Sequence, residues 1–133
     1  MVFNLLLVLT MVTFGTINCN GLRTNQKIGL LNTVIDEKKF VFLQEMHVDS
    51  LKLGNEISKG IGGKIIWSFF QPQGKGVGIY LFNSLSFNIH HFQFVPLGQF
   101  VVVDLEVNST PLRLVNIYAP HIPSLRKEFY IDL

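Results

Sequence analysis

One hundred and thirty-three residues make one domain or part of one. Hydrophobic residues are 48% and charged ones 15%, with 12 Phe, so the strands are buried on both faces, a packing partner lies outside this sequence, or both. The net charge of +2 comes from dispersed Lys and Arg and gives no concentrated basic patch, while the single cysteine, Cys19, excludes an internal disulfide and a cysteine-based zinc cluster and fits a reducing compartment.

Residues 1–13 read as an apolar leader or an extension of the first strand. No Lys or Arg precedes Arg23, and no small-x-small cleavage site is evident, so a secretion signal is disfavoured. Asn4 and Thr10 interrupt the run, which is too short to span a bilayer. Residues 14–20 are expected to form a strand ending in a Gly21 turn, with Asn18 and Asn20 on one face and Cys19 on the other. Thr24-Asn25 is a plausible helix cap. Ile28, Leu31 and Ile35 then follow at helical spacing, to about residue 37. Residues 40–44 make a short apolar strand closed by Glu45, completing a strand–helix–strand unit with a parallel pair.

Residues 50–59 are expected to be a second helix, capped by Ser50 and stopped by Gly60. Strands follow over 64–70, 76–82 and 87–94, the first two joined by a turn over 71–75. Residues 99–107 and 112–118 form a hairpin around Asn108-Ser109-Thr110-Pro111. Pro123-Ser124 opens a last helix. This order predicts an α/β fold with one mixed sheet and helices on one face.

Several polar residues sit where these strands end, the usual place for sites in α/β folds. Glu45 closes an apolar run that should be deeply buried, where a carboxylate requires a cation or hydrogen-bond donors; the alternative is a strand-end Glu that simply reaches solvent. Mg²⁺ is one natural partner, because it takes oxygen ligands and often only one or two protein carboxylates. Asn18 and Asn20 can orient a water or a phosphate oxygen, and alternatively can serve ordinary turn chemistry before Gly21. His47 can hydrogen-bond a phosphate or protonate a leaving group, and alternatively is an ordinary loop histidine. Tyr118 presents a phenol that can donate to an anion, or caps the sheet as an amphipathic rim residue. Asn116 shares its face and could satisfy a neighbouring loop. Gly74-Lys75-Gly76-Val77-Gly78 lacks the spacing and the Ser/Thr of a phosphate loop, and a strand follows where a helix should.

Asn18-Cys19-Asn20-Gly21-Leu22, Leu43-Gln44-Glu45-Met46-His47, Gly76-Val77-Gly78-Ile79 and Asn116-Ile117-Tyr118-Ala119-Pro120, in this order, resemble the endonuclease/exonuclease/phosphatase (DNase I-like) superfamily, and within it most closely the endonuclease domain of LINE-type non-LTR retrotransposons. The resemblance covers residues 16–120. It implies a four-layer α/β sandwich of two packed sheets with helices outside, truncated here to roughly its first half, over residues 14–133. It also implies Mg²⁺- or Mn²⁺-dependent hydrolysis of phosphodiesters in DNA. By that resemblance Glu45 is a metal ligand, Asn18 helps bind metal and orient the attacking water, Tyr118 contacts the scissile phosphate, and His47 lies near the DNA.

Two departures shape the expectation. The family's Asn after Tyr-Ala-Pro is here His121, which takes its place beside Asn20 and His47 among the candidate substrate contacts. The family's Gly-Asp-x-Asn segment, later Asp and Asp-His pair do not occur, so this fragment is expected to be inactive by itself. It is also expected to be marginal without a missing sheet, or another protein, to cover its apolar face. A nuclear or other intracellular location goes with the retroelement reading. The alternatives are a phosphoinositide or sphingolipid phosphodiesterase of the same superfamily, with residues 1–12 as a membrane or export device, and a non-catalytic retroelement remnant.

Overall fold

The computed structural model describes residues 13–35, 39–48, 50–70, 75–82, 87–94 and 99–132. Residues 1–12 of the apolar leader, the loop residues 71–74 and the expected end of the first helix at 36–37 lie outside the described residues.

Strand β1 (Thr13–Asn18) pairs in parallel with β2 (Lys39–Gln44), in a register running from Thr13 opposite Lys39 to Asn18 opposite Gln44. Between them lies α1 (Asn25–Val34), started by Thr24, whose Oγ1 accepts from the Lys27 N–H at 3.2 Å. The helix is shorter than its apolar spacing predicts, because Ile35 turns to extended backbone (φ −75°, ψ 115°) while its N–H still bonds Leu31. Helix α2 (Leu51–Gly60) is capped by Ser50, which accepts from the Leu53 N–H. Gly60 is its last residue rather than its stop. Ile61 leaves the helix in extended backbone and is itself buried.

Strands β3 (Gly63–Phe70) and β4 (Lys75–Phe82) are antiparallel, and β4 runs antiparallel to β2, giving the order β1-β2-β4-β3. Strands β5 (Phe87–Phe94), β6 (Phe100–Val107) and β7 (Thr110–Ile117) form a separate three-stranded antiparallel sheet. The β6–β7 turn is tighter than expected. Only Asn108 and Ser109 lie between the strands, both at positive φ (47° and 67°), and Pro111 is already in β7 opposite Glu106. Two residues at positive φ match the right-handed strand twist, and Asn tolerates that backbone better than most.

The expectation of one mixed sheet is therefore corrected to two sheets, packed face to face. Val101, Val103, Leu105 and Val107 of β6 and Leu114 of β7 are buried against Phe40, Ile66, Val77, Ile79 and Leu81 of the first sheet. The other face of the first sheet carries both helices, with Ile28, Leu31 and Ile57 packed among Val41, Leu43, Ile65 and Tyr80. The layers run helix, sheet, sheet.

The expectation of a missing sheet is corrected with it, since β5–β7 covers the apolar inner face. Strand alternation shows that one face is apolar but not which layer will meet it. What stays open is the outer face of β5–β7, with Val115 exposed, and α3 (Pro123–Asp132), with Leu125, Tyr130 and Ile131 exposed. The outer face also carries the Arg113–Asp104 pair, bidentate at 2.6 and 2.9 Å, with Arg113 holding the Asp104 carboxyl below its ordinary range. No described helix is long and apolar enough to cross a membrane.

Candidate active site at the rim between the sheets

Because β1 and β2 are parallel, their C-terminal ends share one edge of the first sheet. The end of β7 meets that edge from the second sheet. The chain is strained there. Asn20 (φ 45°), Gly21 (84°), Glu45 (50°) and His47 (52°) all have left-handed backbone, and among the described residues the only others are the two hairpin-turn residues. Each non-glycine residue in this region costs roughly 1 kcal/mol or more, so the surroundings must impose it.

They do so with main-chain hydrogen bonds and buried anchors. The N–H groups of Cys19, Gly21 and Leu22 donate to the carbonyls of Gln44, Glu45 and Met46 at 2.7–2.9 Å, and Met46 N–H donates to Gly76. Leu22, Met46 and Val48 are buried, which leaves Glu45 and His47 half-buried between them. Arg23 Nε donates to the His47 carbonyl at 3.2 Å, and Lys27 Nζ to the Asn20 carbonyl. A Cβ on Gly21 would lie 3.0 Å from His47 Nδ1, so both its φ and its close approach call for glycine.

Glu45 and Tyr118 meet in this rim. The Tyr118 hydroxyl donates to Glu45 Oε1 at 3.0 Å, across a separation of 73 residues. Burial, the hydrogen bond and the charge of Glu45 all push the phenol above its ordinary value, so it remains a proton donor at neutral pH. Beyond Tyr118, the half-buried Glu45 carboxylate has no other hydrogen-bond donor among the described residues. Its sequence position allows either a carboxylate buried with the strand or a strand-end Glu that reaches solvent, and the half-buried side chain lies between the two. The left-handed turn at Glu45 carries it off the strand and out to the rim.

Asn18 ends β1 opposite Gln44, exposed, and its Oδ1 accepts from the Asn20 N–H at 3.0 Å. That bond is a local turn, the plainer of the two readings its sequence allows. Asn20 does not continue the strand face shared with Asn18, because β1 ends at Asn18 and Asn20 has left-handed backbone. His121 is exposed, and its carbonyl accepts from Arg126 at 2.8 Å.

Asn116 differs most from expectation. It satisfies strands, not a loop. Buried at 2% exposure, its Nδ2 donates to Leu43 O and Gly78 O at 2.9 and 2.7 Å, and its Oδ1 accepts from Gln44 Nε2 at 2.8 Å. Gln44, Arg23 and Lys27 were not anticipated as parts of this rim. Position two residues before Tyr118 on an inward strand face was the one available signal for Asn116.

Cys19 sits below the rim. Burial pushes its thiol from 9.0 up to about 11, with Lys27 opposing and Glu45 adding to the rise. At pH 8 its alkylation by iodoacetamide is expected to be on the order of a hundredfold slower in the folded chain than in urea. The raised folded value also sets a sign for stability. The thiol's contribution is complete below 9.0 and is lost as pH rises through about 11, so thermal stability should fall across that window. A melting temperature flat from pH 8 to 11 would contradict this.

The chain is thus a mixed α/β protein with a strained polar rim. No family model and no curated protein matches it.

Proposed function

We propose that this chain carries the cation- and phosphate-binding part of a metal-dependent DNA phosphodiesterase of the endonuclease/exonuclease/phosphatase type. The observation that carries the reading is the Tyr118 hydroxyl on the Glu45 carboxylate, contributed by two sheets at one rim. The helix–sheet–sheet layering is compatible with a four-layer sandwich whose fourth layer would cover the outer face of β5–β7. That layer would come from outside the described residues or from another protein.

The donor set suits Mg²⁺ or Mn²⁺. It is one carboxylate with an oxygen to spare and the neutral amide of Asn18, and such ions keep several waters and complete their shell with phosphate oxygens. Among the described residues no three His, Cys, Asp or Glu gather as a closed metal cage. A bound ion would offset phosphate charge and lower the pKa of its water. Tyr118, held protonated, would donate to a phosphate oxygen in place of Glu45. Asn18 would orient the water, and Asn20, His47 and His121 would contact the substrate. The sequence has no Gly-Asp-x-Asn segment and no Asp-His pair, so these residues are proposed to bind without turnover by themselves.

The test is Mn²⁺ titration followed by paramagnetic broadening of amide NMR signals. Broadening centred on Asn18, Glu45 and His47, abolished by Glu45→Gln and sharpened by a short DNA duplex, is the expected result. Broadening centred on His90, His91 and Glu106 of the outer face would refute the assignment, and nicking of supercoiled DNA by this chain would refute the absence of turnover.

A further inference from the structure

Glu45 and Tyr118 follow strands of different sheets, and most of the contact between those sheets is apolar. Apolar packing is non-directional, so it holds two faces together without fixing how one slides on the other. A hydroxyl–carboxylate bond fails with a shift of about 1 Å. Something directional must set the offset at this rim.

We infer that Asn116 is the positioning residue that sets Tyr118 against Glu45. It lies on β7 two residues before Tyr118, on the same inward face. Its carboxamide donates to the carbonyls of Leu43 and Gly78, which are register partners across β2 and β4. Its oxygen accepts from Gln44, the residue before Glu45, and Gln44 Oε1 in turn accepts from Thr16 of β1 at 3.1 Å. One network therefore ties β1, β2, β4 and β7 together beside the rim. Tyr118 is pinned from the other side, its N–H donating to Gln99 O at 2.7 Å.

The side chain required is narrowly defined. Two donors must reach two carbonyls while an oxygen faces an amide donor, and three of the four bonds a carboxamide can make are used. Aspartate has no donors and would set a charge against two carbonyls. Leucine fills the volume and leaves the carbonyls and Gln44 without this partner.

The inference takes this rim to be the working site proposed above, but its test reads geometry and is decided whether or not the chain ever acts on DNA. 3-Fluorotyrosine is placed at Tyr118 and its ¹⁹F shift recorded with and without Glu45→Gln, in the full chain. The shift should respond to Glu45→Gln in the parent. In Asn116→Leu the response should be lost, and in Gln44→Met, which removes one of the three bonds, it should be reduced. In Leu114→Ala, which removes buried volume from the same strand face without touching the amide, the response should persist. A response undiminished in Asn116→Leu, or lost equally in Leu114→Ala, overturns the inference. If Asn116→Leu does not fold, Gln44→Met decides, an unreduced response counting against.

Discussion

Truncating Leu105 to alanine is expected to destabilise the chain by about 3 kcal/mol. Leu105 is at 1% exposure on β6, the middle strand of the second sheet, with Ile89 and Leu112 as its register partners. Its side chain belongs to the cluster that includes Phe40, Ile79 and Leu81 of the first sheet. A cavity there opens between two sheets whose backbones are held by their own hydrogen bonds, so the site collapses poorly and the cost falls in the middle of the range for Leu→Ala. Val102, on the outward face of the same strand, gives the comparison. Val102→Ala should cost less than 1 kcal/mol, since its side chain is already partly in water. Urea unfolding of the two variants separates them. Equal costs would mean that β6 does not bury its 101–103–105–107 face against the first sheet.

Gly78→Val is expected to cost about 2–3 kcal/mol and to disturb the rim as well as the fold. A Cβ on Gly78 would lie 2.8 Å from Met46 Sδ and 3.1 Å from Ile65 Cγ2. Ile65 is fixed in β3, so Met46 must give way. Met46 is the buried residue between the two left-handed residues Glu45 and His47, so displacing its side chain loosens the packing that seats both. Shortening the neighbour should help, so Met46→Ala in the Gly78→Val background ought to restore part of the loss instead of adding to it. Full additivity of the two substitutions would show that Met46 does not seat on Gly78.

Much of the architecture was legible because it is written in local chemistry. Thr24 and Ser50 read as caps and act as caps. The strands fall within a residue or two of their expected ends, and Glu45 and Tyr118 stand where strands stop. What was not legible depends on residues far apart in sequence. The alternation of β6 gives an apolar face but no information on its cover, so the strand pattern did not show that both sheets lie within this chain, and a surface thought uncovered proved to be the core. Asn116 in sequence is indistinguishable from a loop-satisfying amide, and only tertiary structure brings Leu43 O and Gly78 O to it. The left-handed backbone of Glu45 and His47 is equally silent, because neither residue type asks for it. For Asn18 the turn with Asn20 forms, and the amide oxygen that accepts this bond keeps a second lone pair.

Glu45 and Tyr118 meet across the sheets, and a double-mutant cycle measures that directly. Glu45→Gln, Tyr118→Phe and the double variant would be unfolded in urea at pH 7. A coupling of about 1 kcal/mol is predicted, as for a hydrogen bond to a charged group at a half-buried site. Additive effects, with a coupling below about 0.3 kcal/mol, would contradict the meeting of these two side chains and with it the rim as a site.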